Sequence, residues 1–328
     1  MTQLFLHPNI EDYFVERDFQ AVATDQSIRN QIIEDYSGEK LILLRNLKFD
    51  LDWDFLRSVS FYQKWKWKKL ALSSFEAIPP EKWSAVPEMS EFVADVFAGD
   101  RGKFSYFMSQ AKLVNDSIRH ALRTIFANYG FNREDIIWRF TETRVENLHF
   151  DVDRNCDNLE LIRLYVNLDD IPRIWYTAGT FTSTGTEWYD KLDLSRFQTQ
   201  PHDKLLKEIS TRVFGDWYQR GRDTVPRHLV LFEPGDVWLT DGRTVSHQVI
   251  YGRRVVSALF IAPVDAVPDR EKTFVQKVAE LHQRRSTPQP SDAPAPKPIP
   301  TVSRAPLDLT VAWENLPEHE RKAKLVRL

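Results

Sequence analysis

The stretch ENLHFDVD, Glu146 to Asp153, sets a histidine and a carboxylate two residues apart in a segment that reads as a strand. Residues i and i+2 of a strand point to one face, so His149 and Asp151 direct an imidazole and a carboxylate at one point. Taken alone, such a pair is the ordinary polar face of a half-solvated strand. A metal reading needs a third ligand, and His247 is the candidate. It follows FEPGDVWLTDG, in which PGD turns into an apolar strand that a second turn at Asp241-Gly242 closes. Two histidines and one carboxylate from separate strands form the donor set of the non-haem iron facial triad, which leaves coordination positions open. The other histidines have structural readings: His7 and His319 lie near the termini, His120 and His282 in helical patterns, His202 in a polar segment, and His228 at the start of an apolar strand.

Around this constellation the pattern is short and β-rich from Ile136 onward: IIWRFTETRV, LELIRLYVNL, RIWYTAGTF, HLVLFEPGDVWLTDG and RRVVSALFIAP. One helical interruption is expected at HDKLLKEISTRVFGDWYQRG, His202 to Gly221. Upstream, LILLRNL reads as a buried strand. EMSEFVADVFA and KLVNDSIRHALRTIFANYG read as helices bracing a sheet, the second stopping at Gly130. Strands without alternating helices exclude a Rossmann or βα-barrel arrangement. The fold class expected is α+β, a jelly roll with N-terminal bracing helices. A single domain is expected over residues 1–282, with its β core at about 136–263, a proline-rich linker at 283–306 and a tail at 307–328.

Composition narrows the partners. The chain has 328 residues, 42% of them hydrophobic, and a formal net charge of −3 with both signs interspersed, so it lacks the footprint of a nucleic-acid binder. FYQKWKWKKL, which interleaves bases and aromatics, reads as a solvated lysine face. Cys156 is the only cysteine, which excludes an internal disulfide and thiolate metal clusters. No basic segment leads into an apolar run at the N-terminus, and no apolar stretch reaches the ~18 residues of a membrane span. The expectation is a cytoplasmic protein with a small-molecule substrate, no nucleic acid and no integral membrane segment; the oligomeric state stays open.

From Leu41 to Pro263 the chain resembles the iron(II)- and 2-oxoglutarate-dependent oxygenases of double-stranded β-helix, cupin-like fold, on the markers LILLRNL, LHFD, LIRLYVNLD and FEPGDVWLTDG before His247. LHFD followed by IRLYVNLDDIPRIWYTAGTF is similar to bacterial Kdo 3-hydroxylases of lipopolysaccharide modification. The same order is similar to hydroxylases of free amino acids such as the cis-proline hydroxylases. The resemblance implies Fe(II) held by His149, Asp151 and His247, with 2-oxoglutarate and O2 as co-substrates. The implied outcome is hydroxylation of an aliphatic C–H of a small polar substrate, a Kdo-like sugar acid or an amino acid, with release of succinate and CO2. An aspartate at 151 argues against halogenation, because halogenases of this superfamily usually lack that carboxylate.

A cation is also implied for the distal carboxylate of 2-oxoglutarate, ideally a guanidinium with two parallel donors. At the place that many family members use, this chain has Ser257, so the candidates are Arg254 first, then Arg163 and Arg253. In PRIWYTAG, Arg173, Trp175 and Tyr176 are candidates for reading the substrate. The alternative is a non-oxidative jelly-roll metal protein, a cupin isomerase or ligand sensor. A third reading is an interaction protein whose proline-rich tail recruits partners.

Overall fold

The architecture turns on one long strand, β9 (Gln248–Pro263). Its first residues pair with β6 (Arg173–Thr177), and its remainder runs antiparallel between β4 (Arg133–Arg144) and β5 (Leu159–Asn167). One strand thereby serves both halves of a curled sheet. The computed structural model describes residues 2–62, 64–144, 147–153, 155, 157–215 and 225–286. Among these, the sheet runs β1 (Gln3–Phe5), β7 (His228–Phe232), β6, β9, β5, β8 (Val237–Leu239), β3 (Leu41–Arg45), β2 (Phe14–Asp18), with β4 also on β9. Every pairing is antiparallel except β2 with β3. This is the expected α+β jelly roll, to which β1 and β2 add two N-terminal strands that the sequence reading does not include.

Alternation along the strands separates two surfaces. Ile162, Leu164 and Val166 of β5 and Val256, Ala258 and Phe260 of β9 pack outward against N-terminal helices. These are α1 (Phe19–Val22), α2 (Gln26–Ser37), α3 (Trp53–Ser58), α4 (Ser73–Glu76), α5 (Pro87–Phe97) and α6 (Arg101–Ile125). The intervening residues Tyr165 and Val255 join Leu41, Leu43, Trp175, Trp238 and Val249 on the inner surface.

Helix α6 shows why the bracing layer forms. Asp100 caps it by accepting from Lys103 N at 2.9 Å, and Phe104, Phe107, Ala111, Val114, Ile118, Leu122 and Ile125 recur at helical spacing and are buried. The helix starts earlier than expected and ends at Ile125, before Gly130. That glycine instead lets two chain segments touch: a Cβ on it would lie 2.9 Å from the Ala266 Cβ. None of the helices is long and apolar enough to cross a membrane among the described residues.

A second helical layer, α7 (Phe181–Trp188), α8 (His202–Ile209) and α9 (Phe274–Ser286), closes the opposite side around Leu148, Phe150, Phe181, Leu205, Val278 and Leu281. Helix α9 continues to Ser286, past the expected domain end at 282. Residues 287–306 of the expected linker and the expected tail at 307–328, together with Cys156, lie outside the described residues.

Candidate metal centre

The segment carrying His149 and Asp151, expected as a strand, is no regular strand beyond a single bridge at His149, yet its side chains alternate between two faces. Leu148 and Phe150 are buried in the second helical layer, and Phe150 N donates to Ser210 Oγ at 3.0 Å. His149 and Asp151 therefore face the inner surface. Opposite them, His149 N donates to His247 O at 3.1 Å and His247 N to His149 O at 2.9 Å. This reciprocal pair is a one-residue antiparallel bridge, and it brings the two imidazole centroids to 4.6 Å.

One ligand atom from each of His149, Asp151 and His247 lies within 4.8 Å of the others, the one such group among the described residues. Asp151 Oδ1 is 3.7 Å from His149 Nε2 and 3.8 Å from His247 Nε2. Each Nδ1 faces a carbonyl, Asn147 O at 2.7 Å and Val245 O at 3.2 Å. A carbonyl only accepts, so Nδ1 carries the proton and Nε2 presents its lone pair inward, the tautomer that a metal requires. Burial opposes ionisation of Asp151, but the Arg163 guanidinium beside it holds its carboxyl well below the usual carboxylate range.

The Asp151 carboxylate is fitted to its place. Asp151 N donates to Gly242 O at 2.7 Å, and a Cβ on Gly242 would stand 2.1 Å from Asp151 Oδ2. Only glycine fits there. The turn that carries Gly242 is fixed by a buried ion pair. Arg243 donates from Nε and Nη2 to the Asp241 carboxylate and from Nη1 to Leu159 O, and its guanidinium lies 4.6 Å from the Phe274 ring of α9. Val245 N donates to Asp241 O at 2.9 Å and Ser246 N to Gly179 O at 3.1 Å, which sets the register of His247. Burial pushes the neighbouring Glu160 carboxyl up to about 7, against the attraction of Arg243.

Strand alternation also sorts the other candidates. Trp175 stacks on the His247 ring at 5.1 Å and 25°, and meets Tyr165 and Trp238 edge-on. Arg173 is buried on the same side of β6, against Gly252, whose added Cβ would be 2.3 Å from Arg173 Nη1. Tyr176 points to the other face of β6, beside Ile174 and Tyr251, with the Arg227 guanidinium over its ring at 5.6 Å. Ser257 faces inward, paired with Tyr165 and Ile137.

The arginine expectations change most. Arg254 is paired with Phe140 and shares its outward face, so its guanidinium lies 4.6 Å from the Phe61 ring and donates to Arg57 O at 2.6 Å and Val59 O at 3.3 Å. It sits on the helix side of the sheet, away from the histidines, because position 254 is out of phase with 255 and 257. Arg253 is held by Asp169 at 2.7 Å and also by Asp170. Arg163 is inward but engaged: Nη1 lies 2.9 Å from Asp151 Oδ2, and Nη2 meets Asp153.

One inward cation escaped the sequence reading. Arg139 of β4 pairs with Val255 and shares its face, and the described residues give it no ion pair. The signal was present in IIWRFTET, where Arg139 alternates with the buried Trp138 and Phe140. Burial raises the Tyr165 hydroxyl above its usual value, and the charges of Arg163 and Arg139 act against that rise. Arg139 Nε, Trp175 Nε1, Trp238 Nε1 and Thr240 Oγ1 are buried polar atoms without a hydrogen-bond partner. On the inner surface these donors are available to a polar ligand.

No family model matches the chain, and no curated protein matches it by sequence. Its fold is that of the Kdo hydroxylase KdoO, described as a non-heme Fe(II) alphaketoglutarate dependent dioxygenase. The structure with succinate and Fe(III) superposes at a TM-score of 0.57 and 17% identity, covering 83% of this chain and 96% of that one. The structure with alphaketoglutarate and Fe(III) gives 0.56 and 17%, and the apo structure 0.56 and 16%, with the same coverage. At this identity the likeness establishes the shared jelly-roll architecture over most of both chains.

Proposed function

We propose that this chain is an Fe(II)- and 2-oxoglutarate-dependent oxygenase that hydroxylates an aliphatic C–H of a small polar substrate, a Kdo-like sugar acid or an amino acid. The observation that carries the reading is the convergence of one ligand atom each from His149, Asp151 and His247 within 4.8 Å, with Asp151 Oδ1 3.7 Å and 3.8 Å from the two Nε2 atoms, on the inner surface of a jelly roll. Two neutral imidazoles and one carboxylate suit Fe(II) and leave adjacent positions open. Fe(II) with 2-oxoglutarate and O2 would supply the oxidising power, with succinate and CO2 as co-products. The KdoO likeness supports the reading, because a chain of the same fold binds iron, as Fe(III), together with that keto acid.

The protein's part is to bind, orient and keep the site dry. Trp175, Tyr165, Trp238, Val249 and Val255 wall the inner surface with apolar area and exclude water around it. Arg139 is assigned the distal carboxylate of 2-oxoglutarate in place of Arg254. Trp238 of β8 and Ser257 of β9 lie on the same inner surface on either side of Tyr165 of β5, available to share that anion. Arg173 and Trp175 remain candidates for the substrate, and Tyr176 is set aside because it faces away.

The test is succinate formation by iron-loaded protein, offered Kdo-containing glycolipids, free amino acids and small carboxylic acids against the uncoupled background. Stimulation by one class names the substrate. Stimulation by amino acids alone rejects the Kdo reading. Turnover of any substrate without 2-oxoglutarate would favour a cupin-type isomerase.

A further inference from the structure

Asp151 presents its two oxygens to different surroundings. Oδ1 faces both imidazoles, whereas Oδ2 is turned toward Arg163 Nη1 at 2.9 Å and into the space that Gly242 leaves open. The Arg163 contact is a charge contact rather than an aligned hydrogen bond, and Oδ2 has no other partner. Asp153 follows two residues later, with its carboxylate on the other end of the same guanidinium. Arg163 is itself fixed: Tyr36 of α2 accepts from Arg163 N at 3.1 Å, and Thr240 N donates to Arg163 O at 3.2 Å.

We propose that Arg163 is a positioning residue that limits the protein to three ligand atoms, by occupying the second oxygen of Asp151 and holding Asp153 aside. This rests on the reading of His149, Asp151 and His247 as an ion site. An octahedral ion with three protein atoms keeps three positions for exchangeable ligands, whereas a carboxylate that closes through both oxygens, or a second carboxylate, leaves two or fewer. Two positions accommodate a chelating keto acid and nothing more. The same guanidinium offsets negative charge that would build up when a dianionic keto acid enters beside Asp151 and Asp153. Its engagement with both carboxylates is also why Arg163 is a poor anchor for the co-substrate.

The experiment counts water. Mn(II) is bound to the full chain without keto acid, and the relaxation of solvent protons per bound ion reports how many exchangeable waters the ion carries. Wild type is expected to show three. Arg163→Met should still bind Mn(II) but show about one third less relaxation per ion, and Arg163→Lys, which keeps a cation on Oδ2, should return to the wild-type value. Because Arg163→Met leaves two buried carboxylates without their cation, Arg163→Met with Asp153→Asn removes the partner as well and carries the same test on Asp151 alone. Wild-type relaxation in Arg163→Met, or in Arg163→Met with Asp153→Asn, overturns the proposal. Failure of wild type to bind Mn(II), or unchanged binding by His247→Ala, would instead count against the ion site.

Discussion

At the scale of single residues, the site is a set of fitted positions with separable roles. His149→Ala and Asp151→Ala should each abolish Fe(II) binding in an anaerobic titration while the thermal midpoint stays near wild type, since both side chains face the inner surface rather than the apolar layers. Gly242→Ala should weaken Fe(II) binding without replacing a ligand: its Cβ would come within 2.1 Å of Asp151 Oδ2, so the carboxylate must swing away. Misplacing a ligand through its neighbour typically costs about 10–100-fold in metal affinity. The two arginines should divide cleanly. Loss of a guanidinium from a buried carboxylate costs on the order of 2–5 kcal/mol. Arg139→Met should therefore raise the 2-oxoglutarate requirement roughly 30-fold or more, at about 1.4 kcal/mol per tenfold. Arg254→Met should leave that requirement alone and lower stability instead, by about 1–3 kcal/mol, because Arg57 O and Val59 O lose their donor. An increase in the requirement for Arg254→Met but not Arg139→Met reverses the assignment.

At the scale of elements, the strands were legible and their phase was not. LIRLYVNL and FEPGDVWLTDG mark strands β5 and β8 and the turn before His247, because β-branched runs and Asp-Gly turns depend on local chemistry alone, whereas LHFD, read as a strand, forms only the one-residue bridge at His149. Which arginine of RRVVSALF faces inward depends on where β9 bends between its pairing with β6 and its pairing with β4 and β5, and that is a matter of tertiary register. The helix α9 was read only as a histidine-bearing helical pattern, yet its first residue touches the site's support. Phe274 N donates to Glu160 Oε2 at 3.3 Å, and the Phe274 ring packs on Arg243. This junction has a pH signature. Burial raises the Glu160 carboxyl to about 7 from its ordinary 4.5, so its contribution to stability is fully present below pH 4.5 and is lost as pH rises through about 7. In paired melts at pH 5 and pH 8, Glu160→Gln should lose less stability on going to pH 8 than wild type, with a difference on the order of 3 kcal/mol at most. A larger loss in Glu160→Gln would mean that the ionised carboxylate, paired with Arg243, is what holds α9 down.

At the scale of the whole molecule, the chain builds a jelly roll between two helical layers and reserves its inner surface for one polar site. A ligand that binds only the folded chain stabilises it by mass action, by about 2.7 kcal/mol at a hundredfold excess over Kd. Mn(II) with 2-oxoglutarate should accordingly raise the thermal midpoint of wild type and leave that of His247→Ala where it was; equal shifts in both proteins would place the ion elsewhere. The most direct test of the ion site is an anomalous difference map from crystals grown anaerobically with Fe(II) and 2-oxoglutarate. One iron peak is expected, bound by His149 Nε2, Asp151 Oδ1 and His247 Nε2, with the keto acid chelating it and its far carboxylate on Arg139. An iron peak away from these three atoms, or a keto acid whose far carboxylate turns to another cation, would contradict this arrangement.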